Sequence, residues 1–122
     1  MSSLLRACAV IAAVAAFAAL VPTVSAGPSA TASKSCSVGS GRGYGTTYVT
    51  RLSVRHTTCA RGRDVVRAFH ACRPGKAGHC RHRVLGYRCS EHRYNKIPTQ
   101  YDSNVTCTRG RKVVKHTYTQ FT

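Results

Sequence analysis

The sequence predicts an α+β fold: one helix packed on a small antiparallel sheet of three to four strands and stapled by disulfides. Three observations carry this. Cys59, Gly62, Val66, Phe69 and Cys72 recur at spacings of three and four, and the segments around them alternate with period two. Six cysteines follow residue 26, behind a segment that reads as an export signal, so an oxidising compartment is expected. The chain left after that signal is too short to bury a deep core, which makes staples necessary.

The elements follow in order. Met1 to Leu5 with Arg6 form a short positive start, Ala7 to Val21 a continuous apolar run, and Val24-Ser25-Ala26 a small-residue cleavage site. Together they read as a signal peptide over 1–26. The apolar run, about 15 residues, falls short of the roughly 20 that a bilayer span needs. The product is therefore expected to be secreted and extracellular, with no transmembrane anchor. Residues 27–45, with Pro28 and Gly39-Ser40-Gly41-Arg42-Gly43, lack periodicity and read as a flexible Gly/Ser-rich leader tied down at Cys36. Residues 46–122 read as a single small α+β domain.

Within that domain Tyr48, Thr50, Leu52 and Val54 alternate with Val49, Arg51, Ser53 and Arg55, the pattern of a strand with the first set on its greasier face. Thr57 and Thr58 stand where a helix N-cap belongs, and Pro74-Gly75 ends the helix near Cys72. Arg63, Arg67 and His70 fall on a second helix face, expected to be basic and wet. Lys76 to Arg83 is a polar loop. Val84 to Cys89 reads as a strand with Leu85, Tyr87 and Cys89 on one side, and Glu91 to Asp102 as a long irregular connection. Asn104 to Arg109 is a third strand, Arg109-Gly110-Arg111 a tight turn, and Lys112 to Phe121 a fourth strand with Val114, His116 and Tyr118 facing one way.

Thr57-Thr58-Cys59-Ala60, Gly86-Tyr87-Arg88-Cys89 and Val105-Thr106-Cys107-Thr108-Arg109-Gly110 resemble a pattern in small exported, disulfide-containing actinobacterial proteins of uncharacterised function. The likeness covers about Leu52 to Tyr118. It implies an exported α+β domain with disulfides, and no activity comes with it. Cys72 and Cys80 are additions to that pattern, and His116 stands where such chains more often have an apolar residue.

Cys36, Cys59, Cys72, Cys80, Cys89 and Cys107 are expected to pair. Cys72–Cys80 is the natural local bridge across the Pro74-Gly75 turn, and Cys59–Cys107 with Cys36–Cys89 would complete the set. Cys80-x-His82 and Cys89-x2-His92 form a zinc-compatible donor set, but zinc needs thiolates and an oxidising compartment favours disulfides. No metal and no cofactor are expected.

The charge is the strongest functional signal. The whole chain carries +16; without the signal and its Arg6, 13 Arg and 5 Lys face 3 acids, a formal +15. Solubility needs roughly 2 to 8 for a small domain. An anionic polymer or surface is therefore the expected partner: a cell-wall polymer, an anionic membrane surface or nucleic acid. The candidate contacts are Arg61, Arg63, Arg67, Arg81, Arg83, Arg88, Arg93, Arg109, Arg111, Lys112 and Lys115, interleaved with tyrosines. No nucleic-acid module signature occurs, so sequence-specific reading is not expected, and the chain is expected to act as a monomer. Six histidines with ordinary values near 6.5 would charge below pH 6 and take the formal total toward +21.

Enzymatic readings are thin. Asp64, Glu91 and Asp102 are the only acids, and no Gly-x-Ser-x-Gly run occurs. The even number of cysteines after the signal leaves no spare thiol nucleophile. The chemistry that remains is ribonuclease-like, with His56 and His116 as base and acid beside a cation. A third class is a protease inhibitor that presents Arg93 or Lys96 from the Glu91–Asp102 segment. The favoured expectation is non-enzymatic polyanion binding.

Overall fold

The computed structural model describes residues 31–41, 44 and 47–122; the segment 1–26 read as a signal peptide and the beginning of the segment read as a leader lie outside them. Thr58 caps the helix as its position predicts, accepting a hydrogen bond from the Arg61 amide at 3.1 Å, and α1 runs Cys59–Cys72. Gly62, Val65, Val66 and Phe69 are its buried face. Gly62 sits there because the helix rides close to the sheet: a β-carbon added to it would stand 2.6 Å from Val54 Cγ1.

The sheet has five antiparallel strands rather than three to four. They are β1 (Lys34–Cys36), β2 (Thr47–Arg55), β3 (Arg88–Ile97), β4 (Gln100–Arg109) and β5 (Lys112–Phe121), in spatial order β1-β2-β5-β4-β3. β5 covers the span its alternation predicts, with Val114, His116 and Tyr118 all buried. The fifth strand, β1, lies inside the segment read as leader and pairs with β2 from Lys34↔Val54 to Cys36↔Leu52.

Three local readings are corrected. In β2 the register shifts between Val49 and Arg51, so Thr50 is an extra residue and the inward set is Thr47, Val49, Leu52 and Val54. Tyr48 and Thr50, expected on the core face, point outward. Glu91 to Asp102 is not an irregular connection but the tip half of a β3–β4 hairpin, paired from Arg88↔Thr108 to Ile97↔Gln100. Val84 to Cys89 is likewise not a strand. Val84 and Tyr87 bond to each other across Leu85-Gly86, both at positive φ, and β3 begins only at Arg88. Val84 and Tyr87 are buried while Leu85 faces out.

The disulfides are Cys36–Cys59, Cys72–Cys80 and Cys89–Cys107. The local Cys72–Cys80 pair is as expected. Cys59–Cys107 and Cys36–Cys89 are overturned by topology. β1 brings Cys36 beneath the helix start, and the β3–β4 register sets Cys89 directly opposite Cys107 with Cα atoms 4.0 Å apart. On the loop-entropy model these bridges are worth about 2.5 to 3.5 kcal/mol each.

Candidate anion-binding face

The helix covers one face of the sheet, and among the described residues the other face is left uncovered. Registers across β2, β5, β4 and β3 sort the outward residues into rows. One row reads Arg55, Val113, Thr108, Arg88, and the next Ser53, Lys115, Thr106, Ser90. A third reads Arg51, Thr117, Asn104, His92, and a fourth Tyr48, Thr119, Asp102, Tyr94. Such a face of hydroxyls and cations is what an antiparallel sheet shows to water when its other side is the core.

At its centre is an open depression of about 320 Å³. Side chains of Arg51, Ser53, Asn104, Thr106, Lys115 and Thr117 line it. Thr117 Oγ1 donates to Asn104 Oδ1 at 2.9 Å, which holds the amide in place. The one carboxylate of the face, Asp102, accepts from Thr119 Oγ1 at 2.6 Å and Asn95 Nδ2 at 3.0 Å, and these bonds hold its pKa below the usual carboxylate value. His92 and Tyr94 stack on each other at the β3 edge, with ring centroids 6.2 Å apart.

The expected cations divide into separate groups. Arg88 and Lys115 belong to the open face. Arg61, Arg63 and Arg67 lie on the helix, in the opposite layer; Arg67 pairs with Asp64 at 3.4 Å and lies over the Tyr44 ring, and Arg63 reaches the Ser37 carbonyl at 3.5 Å. Arg83 and Arg109 bond the Gly86 and Leu85 carbonyls at 3.3 Å each, beside the turn that carries Arg111 and Lys112. Arg81 is exposed in the disulfide loop region. Arg93 is spent in the fold: its side chain is 9% exposed and bonds Glu91 and the Ala77 and Gly78 carbonyls. Arg51 and Arg55, not among the expected contacts, join the face because they stand on the outward side of β2, away from the buried Leu52 and Val54.

The second chemical feature is buried under the helix. Residues 73–79, closed by Cys72–Cys80, form a strap over the inner side of β3, β4 and β5. Arg73 is buried beneath it and bonds the Gly78 carbonyl at 3.2 Å, the Lys76 carbonyl, the Tyr101 hydroxyl at 2.7 Å and His70 Nδ1 at 3.1 Å. Glu91 accepts from Arg93 Nε at 2.9 Å, Ser103 Oγ at 3.2 Å and the Tyr118 hydroxyl, and contacts His79 Nδ1 at 2.7 Å. Burial alone would raise the Glu91 pKa, but bonds from Arg93, Tyr118 and His79 and the Arg93 charge hold it down at about 2.

His70 and His116 meet in this layer with ring centroids 5.2 Å apart. Burial above all, with Arg73 nearby, pushes the values of both down to about 3, and each histidine's neutral ring suits the other. His70 is thus not on a wet helix face: it packs edge-on against Tyr118 at 4.7 Å. Neither His116 nitrogen has a hydrogen-bond partner among the described residues. At neutral pH this layer holds the ionised Glu91, guanidinium cations and the two uncharged rings of His70 and His116.

The His56 and His116 pair is not assembled. His116 lies opposite Leu52 and faces the helix, while His56 is exposed four residues further along, about 13 Å at the usual strand rise. Of the two residues considered for protease docking, Arg93 is occupied and Lys96 is exposed beside the hairpin turn. Cys80 and Cys89 sit in different disulfides, which removes both thiolates of the zinc-compatible set. Among the described residues no three His, Cys, Asp or Glu side chains group as metal ligands, and no helix is long and apolar enough to cross a membrane.

No family model, curated protein or solved structure matches this chain.

Proposed function

We propose that this is an exported, disulfide-stapled cationic domain that binds anionic polymers without chemically transforming them, through the uncovered face of its sheet. The observation that carries this reading is the face itself. Arg51, Arg55, Arg88 and Lys115 project from one uncovered surface, and its only acid, Asp102, is already engaged by Thr119 and Asn95. Three disulfides favour an oxidising compartment, consistent with export. The inner polar layer, with ionised Glu91 and neutral His70 and His116, gives no support to an acid–base reading.

The test is anisotropy of a labelled single-stranded RNA, used as a generic polyanion, against the oxidised protein across a salt series. Wild type should bind with a steep salt slope. Arg51→Gln, Arg88→Gln and Lys115→Gln should each reduce that slope by about 0.7, the contribution of one phosphate contact on a single strand. Arg61→Gln and Arg63→Gln, on the helix layer, should leave it unchanged. Equal losses from both layers would place binding elsewhere. Cleaved RNA would replace this reading with a ribonuclease.

A further inference from the structure

We propose that the depression at the centre of the open face is an oxyanion site for the phosphate of a phosphodiester chain linked through polyols or sugars. The inference rests on the polyanion-binding reading and assigns it a ligand class. Arg51 and Lys115 are diagonal neighbours across β2 and β5, with side chains rooted about 7 Å apart. Both line the depression, so a fork and a point charge converge on one small volume. The remaining polar lining is three hydroxyls and an amide, from Ser53, Thr106, Thr117 and Asn104. Thr117 gives its proton to Asn104 Oδ1, so the NH2 donors of that amide are not used by the pair.

This donor set distinguishes ligands. A tetrahedral phosphate offers oxygens in several directions, enough for a bidentate guanidinium, an ammonium and neutral donors together. A planar carboxylate presents its acceptor sites in one plane on two oxygens, so it meets fewer of these donors at once. No Tyr, Phe or Trp lines the depression, and His116, which also borders it, packs its ring against Phe69 and His70 under the helix, so a nucleobase entering with its phosphate finds no free stacking surface there. His92 and Tyr94 are stacked on each other at the sheet edge, and the Tyr48 ring lies 3.1 Å from the position a Gly41 β-carbon would take, at the far edge. Arg55 continues the charge beyond Lys115, again on the diagonal. The zigzag Arg51–Lys115–Arg55 follows a chain of repeated phosphates, and a soluble polymer fits it better than a flat bilayer.

The experiment compares labelled poly(glycerol phosphate), polygalacturonate of equal charge, single-stranded RNA and phosphatidylglycerol vesicles, at one ionic strength, on the oxidised protein. Two variants keep the net charge and the strand: Arg51→Lys removes the fork, and Thr106→Val removes one hydroxyl from a residue that stays β-branched. Each should weaken poly(glycerol phosphate) binding about fivefold, the worth of one lost hydrogen bond, and Thr106→Val should leave polygalacturonate unchanged. Inorganic phosphate should compete where acetate at equal ionic strength does not. Equal binding of both polymers, unaltered in the two variants, would overturn the phosphate site and leave the polyanion reading intact. RNA binding that is tightest and falls in Tyr94→Ala would overturn it in favour of base stacking, and binding to vesicles alone would overturn it in favour of a lipid surface. Failure of all four probes would remove the underlying reading as well.

Discussion

The buried pair His70 and His116 makes stability sensitive to mild acid, and the effect can be worked from their surroundings. Their rings lie 5.2 Å apart, with Arg73, Glu91 and Tyr118 as the polar neighbours, and burial holds both values at about 3 against an ordinary 6.5. In the unfolded chain both charge as pH falls through 6.5; in the folded chain neither does until about 3. The unfolded state therefore binds more protons throughout that window. Stability is fully present above 6.5 and is lost progressively as pH falls. Between pH 7 and pH 5 each histidine withdraws about 2 kcal/mol, and the pair ~4 kcal/mol. Urea unfolding of the oxidised protein at pH 7, 6 and 5 reads this directly. His116→Leu keeps a similar volume at an inward strand position and removes two nitrogens that have no partner among the described residues. It should halve the acid-induced loss. If wild type loses less than 1 kcal/mol by pH 5, or the variant loses as much as wild type, the neutral-pair argument is wrong. The same chemistry limits how far charge rises in acid. With two of the six histidines held neutral, the formal total falls short of +21 in mild acid.

Two further outcomes test the packing. Gly62→Ala places a methyl against Val54 Cγ1 at the helix–sheet contact and should cost about 2 kcal/mol in urea unfolding, with unchanged binding to RNA. Glu91→Gln leaves the 9%-exposed Arg93 without its counter-charge and should cost about 3 kcal/mol at pH 7. That deficit should shrink as pH falls from about 4.5 toward 2, where wild-type Glu91 itself becomes protonated, and a pH-independent deficit would contradict the carboxylate's role.

Much of the fold was legible because local signals and tertiary demands agreed. Thr58, the apolar stripe of α1 and the Pro74-Gly75 stop all mark one helix, and the alternation of β5 is unbroken from Lys112 to Phe121. The β3–β4 hairpin was hidden because its inward positions include Glu91, Arg93 and Ser103, which satisfy one another and erase the apolar–polar alternation on which a sequence reading depends. The bulge at Thr50 reverses the sides of Tyr48 and Val49 relative to Leu52 and Val54, and no periodicity count registers a one-residue slip of that kind. Nothing in the local sequence around Arg73, between Cys72 and Pro74, marks it as buried. Its burial becomes understandable only when the strap, Tyr101 and His70 are placed around it. The two long-range disulfides were unreadable for the same reason: they depend on which strands are neighbours, whereas Cys72–Cys80 depends only on a turn.

These hidden features connect the core to the face. A single helix of 14 residues cannot cover a five-stranded sheet, and it reaches β2 and β5 but not the β3 side. The strap closes the remainder, and it can do so only with a polar underside, because a short loop must satisfy its own carbonyls. Arg73, Arg93 and Tyr101 donate to the carbonyls of Lys76, Ala77 and Gly78, and Glu91 compensates the charge. One of the chain's three acids is thereby consumed inside, Asp64 is paired on the helix, and Asp102 is tied to its neighbours. The excess positive charge stays outside, and on the sheet it stands on the side that helix and strap leave uncovered. Stability and binding are consequently separable. Changes at Glu91, Arg73 or His116 should act through unfolding, and changes at Arg51 or Lys115 through affinity, because the two sets lie on opposite faces of one sheet.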